Sequence, residues 1–422
     1  MAGGSQIFEI HVQREGRWTI DRTAEGQDDA ESQARTLLRG KGITAVKVVR
    51  EVVNGATSRE TVVFEQTSQS GSAGRIAVGE IEEAPDCQTP EDLFALQGRS
   101  TINRLFRAYL DKTGITATEA MHDFRELKRA IDADTLMVSA IGKVATLQAK
   151  GREDLTVNQR RDELFGFVDQ VLARAKEASD MKLPSIKKAG FEPTVVELLD
   201  SRGENGSYLA RVCMTRELVQ ERNFFGKMLQ TIDWIEPTGD TRALALSDGF
   251  LADTAANPTV IQDLMGLQPD LISALGSIVE LSLGAYQAED GGNDPQSPAA
   301  VAGRLNTLMA EGGFPDTRHV LIDRVCRGLD SKSPLIKGDP DKQVEAFRGF
   351  VTKVIDSSDD LVGGGAMAQA LTTRQSRIIN KGGLAGLKEA TGRMLPMFSE
   401  PVQKASYLLS LKDSRIGQDL SD

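Results

Sequence analysis

The chain has 422 residues, longer than one hydrophobic core usually serves, with 61 acidic against 50 basic side chains and a formal net charge of −11. That charge repels phosphate backbones and anionic lipid headgroups, so general nucleic-acid binding is not expected. No apolar run approaches the length of a membrane span, and Cys87, Cys213 and Cys326 lie far apart with no CxxC spacing, so neither a disulfide framework nor a zinc knuckle is indicated and a cytoplasmic protein, bacterial in character, is expected.

Phe8, Ile10 and Val12 alternate with polar neighbours, and Trp18 and Ile20 do so again after Glu15-Gly16, which predicts a hairpin with one buried face. Ala30, Ala34, Leu37 and Leu38 follow helical spacing and stop at Gly40-Lys41-Gly42. Two further strands, 43–53 and 59–64, join at Asn54-Gly55. Residues 1–66 are therefore read as a small α+β domain of order ββαββ, with His11 on its outward face. Residues 67–90 lose all periodicity and read as a flexible acidic linker.

From Thr89-Pro90-Glu91-Asp92 onward the period becomes helical, and the overall class is mainly α. Ile102, Leu105, Phe106, Tyr109 and Leu110 predict one amphipathic helix, Thr156 to Gln159 is a capping box, and Asp339-Pro340 opens another helix. Long helices are expected over 207–235, 269–283 and 298–310. The turn-rich stretch 289–298 suggests a division into helical parts 91–290 and 291–422, the second containing a glycine joint at 363–365.

Three histidines discipline every catalytic idea. Glu119 and His122, like Asp316 and His319, are spaced i, i+3, as bundle metal sites present half a centre from each helix. Both pairs fall in first helical turns, where Thr116 to Glu119 forms a capping box and Asp316 follows Pro315 as a natural cap, so capping is the stronger reading. His122-Asp123-Phe124-Arg125-Glu126-Leu127 resembles the phospho-accepting box of histidine kinases and phosphotransfer domains. That resemblance covers six residues and implies an exposed His122 assisted by Asp123, beside a buried stripe of Met121, Phe124, Leu127 and Ile131. No GxSxG, GxxxxGK[ST] or strand-following GxGxxG is present, and no cofactor is indicated.

Charge is distributed unevenly. Residues 76–98 include Glu80, Glu82, Glu83, Asp86, Glu91 and Asp92 and no base, whereas residues 366–415 hold eight bases, Arg374, Arg377, Lys381, Lys388, Arg393, Lys404, Lys412 and Arg415, against three acids. The expected function is a non-catalytic interaction or regulatory scaffold. Its partner would be a protein, or a second copy in a homo-oligomer, reached through the helical part, with the basic tail docking on an acidic surface such as the linker. The alternatives are a phosphotransfer protein using His122 and a helical metal-dependent enzyme. An exposed apolar patch on the helices would mark the partner surface.

Overall fold

Alternation holds in β1 (Ser5–Arg14), where Phe8, Ile10 and Val12 are buried, and three more strands follow, β2 (Arg17–Ala24), β3 (Ala45–Asn54) and β4 (Thr57–Thr67); Ile20 on β2, expected on a buried face, is 56% exposed because the helix of this domain does not cover it. They form one antiparallel sheet in the order β2-β1-β3-β4, with register shifts at Ile10/His11 and Val48/Val49. The helix Gln27–Leu37 lays Ala30 and Ala34 across Phe8, Ile10, Val12, Val46 and Val48. On the other face the Lys47 ammonium lies 4.8 Å from the Trp18 ring centroid, and His11 Nε2 is 2.9 Å from the Glu9 carboxylate.

These coordinates come from a computed structural model that describes residues 5–14, 17–24, 26–38, 43, 45–54, 57–67, 76–133, 135–288, 294–336 and 340–421. The turns expected at Glu15-Gly16 and Asn54-Gly55, the helix stop at Gly40-Lys41-Gly42, most of the acidic loop after 288 and Asp339 lie outside them. The chain divides into two compact units, Met1–Ile76 and Ala77–Asp422.

The second unit is helical, and its helices start where local chemistry dictates. Thr116 and Thr156 cap with reciprocal partners Glu119 and Gln159, and Ser297, Asn257, Asp270 and Asp240 accept backbone N–H groups at further helix starts. Several expected helices are broken. The 207–235 helix is two, Gly206–Leu218 and Phe224–Ile235, because Asn223 adopts an extended conformation and caps the second. The amphipathic helix expected through Tyr109 and Leu110 bends at Phe106 into Leu96–Leu105 and Arg107–Thr113.

A division near residue 290 does not occur. Ile278, Val279 and Leu281 share one core with Val301, Leu305, Leu321, Val351, Leu371 and Tyr407, so helices from both sides of that point bury one another. The glycine joint is likewise a fixed turn. Gly363 is left-handed at φ 80° and starts the helix Gly364–Ile378, and a Cβ on it would press into Ile322.

The acidic segment from Ala77 to Thr89 is packed rather than free. Gly79 donates its N–H to the Leu105 carbonyl at 2.8 Å and passes so close to the helix Leu96–Leu105 that a Cβ would overlap the Arg104 carbonyl. Ile81 and Cys87 are buried, Gln148 donates to the Pro85 carbonyl, and Arg160 donates to that of Cys87. This part of the expected linker is a strap, held because its own carbonyls satisfy buried donors.

Candidate functional site

His122 is only 3% exposed, which corrects the expectation that it faces solvent. The helix Ala117–His122 ends there because Asp123 is extended and caps the next helix, Phe124–Ile131, accepting the N–H groups of Arg125 and Glu126. The break rotates His122 inward, and the carboxylate expected to assist it is occupied as a cap. Its ring lies between Phe94 and Tyr208, with centroids 5.0 Å from each. His122 Nδ1–H donates to the Thr118 carbonyl at 2.7 Å, so the neutral ring leaves Nε2 unprotonated, and Nε2 meets no donor among the described residues.

Burial depresses the His122 pKa to about 3, opposed by the Thr118 bond and reinforced by the positive charges of Arg211, Arg99 and Arg174. Tyr208 is buried too, and its pKa is pushed up to about 12, while the Arg174 guanidinium stacks 4.0 Å above its ring. An imidazole buried between two rings is not presented at the surface as the resemblance to a phospho-accepting box implies.

The four residues considered for a metal have separate partners. Glu119 is fully buried against the Lys227 ammonium and accepts the Thr116 N–H at 2.7 Å, and Lys227 also donates to the Leu218 carbonyl. Burial raises the Glu119 pKa and lowers that of Lys227, and the opposite charge of each partner works against that shift. Asp316 is not a cap, contrary to expectation. It accepts from Arg99, while Asp248 receives the N–H groups of Asp316 and Thr317 at 2.7 and 2.9 Å. Arg99 also reaches Asp253, which accepts both the N–H and the hydroxyl of Thr118. His319 is exposed on the helix Pro315–Asp330. Among the described residues, no three His, Cys, Asp or Glu side chains converge as a metal centre. The network instead locks the buried helix Ala117–His122 to its neighbours.

The opposed charges do not dock as expected. In the strap, Glu80 pairs with Lys143 at 2.7 Å and Asp86 with Arg152 at 3.5 Å, Glu82 is exposed, and Glu83 lines a surface groove. In the tail, buried Arg374 donates to the Ser333 and Gly328 carbonyls and Arg377 to those of Asp330 and Ser331, closing the end of the helix Pro315–Asp330. Lys381 and Arg393 share Glu389, and Lys388 is exposed. Strap and tail approach at Asp330, whose pKa burial raises, with Arg377 and Arg374 acting to lower it and Glu82 to raise it.

The exposed apolar surface lies further along the tail. On the helix Pro401–Lys412, Tyr407 and Leu411 are buried in the core, while Val402, Leu408 and Leu409 are 58%, 42% and 64% exposed. Val402, Ala405 and Leu409, spaced i, i+3, i+7, form one outward stripe, with Leu408 beside it and Lys404 and Lys412 bordering Leu408. Other exposed apolar side chains lie elsewhere, such as Ile20 on β2, Val138 on the helix Leu136–Gln148 and Leu267 in the loop after Met265. Sequence reasoning counted this segment only as basic. The available signal was that its apolar residues, Val402, Tyr407, Leu408, Leu409 and Leu411, exceed what a single buried stripe uses.

No protein-family model, curated protein or solved structure matches this chain.

Proposed function

We propose that the protein is a non-catalytic interaction protein whose helical unit docks a partner protein on the helix Pro401–Lys412. The observation that carries this reading is the outward stripe of Val402, Ala405 and Leu409 with Leu408, on a helix whose other face is fixed in the core. Apolar side chains of this size stay exposed together on a rigid helix at a cost in solubility, and a partner covers them. The occupant is an amphipathic helix of another protein, with acids beside its apolar residues. One exposed helical stripe matches the footprint of one partner helix, whereas a standing homodimer buries roughly 800 Å² on each side. Lys404 and Lys412 supply the basic rim that favours acids.

The test is the double variant Val402→Lys/Leu409→Lys, purified from the cells that make the protein. The wild type is expected to retain a stoichiometric partner at low salt that the variant loses, with both proteins melting alike. Equal retention by the two, or a wild type that is a homodimer dissociated by the substitutions, overturns the reading.

A further inference from the structure

Beneath the strap lies a cavity of about 110 Å³ whose wall is almost wholly apolar. It is formed by Leu105 and Phe106, Met121 of the buried helix, Ile141 of Leu136–Gln148, Val168 of Val157–Asp180, and Pro85 of the strap. Protein interiors are close-packed, and voids larger than a water molecule are few. A space lined by aliphatic groups offers water no hydrogen-bond partners, and engineered cavities of this character stay dry and take up benzene or xenon. A groove of about 460 Å³ bounded by Gln97, Ser100, Arg104 and His319 shares Ala84, Pro85 and Thr101 with the cavity. The shared residues form a partition between an apolar chamber and one whose mixed walls include the charged Glu83, Arg104 and Asp323.

We infer that the cavity is a binding site for the apolar end of a small amphipathic ligand, about the size of benzene or a short alkyl chain, whose polar end lies in the groove. The strap is the gate. Its outer part is held by exchangeable contacts, Lys143 to the Gly79 carbonyl at 3.1 Å and to Glu80 at 2.7 Å, and residues 84–87 by the buried bonds from Gln148 to Pro85 and from Arg160 to Cys87. Entry requires residues 84–87 to lift from Thr101 while the surrounding helices stay packed.

The probe for the apolar end is benzene, added to the full-length protein carrying ¹³C-methyl methionine. Met121 and Met137 both line the cavity, whereas Met228 and Met394 are buried in the core shared by Val279, Leu321 and Tyr407. Benzene is expected to shift the Met121 and Met137 methyl signals selectively and to raise the melting temperature in a concentration-dependent way. Ala140→Leu and, independently, Ala130→Val fill the space from two helices and are expected to abolish both effects. Lys143→Ala, which frees the strap's outer part, is expected to speed benzene exchange several-fold with little change in affinity. A wild type whose Met121 and Met137 signals do not respond overturns the site, as does a response that both filling variants retain. Exchange unchanged by Lys143→Ala overturns the assignment of the strap as gate.

Discussion

At the scale of the residue, His122 shows how context overrides motif. The folded-state pKa of about 3 lies below the ordinary 6.5, so the unfolded chain binds the proton first. Stability therefore falls as pH drops from about 6.5 toward about 3, by up to ~1.4 kcal/mol per pH unit from this group. Urea unfolding across that window is expected to show a steeper acid loss for the wild type than for His122→Gln, and equal slopes would place the imidazole in solvent. The Glu119–Lys227 pair makes a second prediction. Lys227→Met strands a buried carboxylate and is expected to cost about 3–5 kcal/mol, while Glu119→Gln/Lys227→Met costs less than the sum of the single changes. Additive costs in such a cycle would mean that the charges do not depend on each other. Neither outcome was readable from the residues. The capping box at Thr116 and Glu119 was legible because both partners lie in one turn, but Lys227 and Tyr208 come from distant helices and Phe94 from the turn that follows Leu93.

At the scale of the element, the sequence and the structure agree where a single turn decides and part where packing does. Alternation in β1 and the start of the helix Pro298–Ala310 follow from local patterning alone. The strap has no periodicity, yet it is ordered by donors from helices far along the chain, which no local pattern records. The apolar cavity under it, at about 24 cal/mol per Å³, removes roughly 2–3 kcal/mol of stability that a packed core would hold. The charge pattern predicts a basic tail docking on an acidic surface, but Met367, Leu371, Tyr407 and Leu411 are core residues and Arg374 closes another helix. Deleting residues 366–422 is therefore expected to unfold much of the helical unit, seen as lost helical circular dichroism and a broadened melt. A truncated protein that melts like the full one would show that the tail's packing contributes nothing.

At the scale of the whole molecule, two compact units stand on one chain, a four-stranded sheet with its helix and a large helical body. Among the described residues no helix is long and apolar enough to cross a membrane. Within the helical body, buried charge is spent on fixing helices to one another, while apolar surface is left outward on Pro401–Lys412. That division of labour underlies the proposal that the body presents a rigid docking helix. The most direct test places a photo-crosslinking amino acid at position 409 in living cells, with Leu267, exposed in the loop after Met265, as the control position. The account predicts one dominant crosslinked protein of a different chain at 409, absent at 267 and lost when Val402→Lys is added. The same products from both positions, or a product consisting of two copies of this chain, would contradict it.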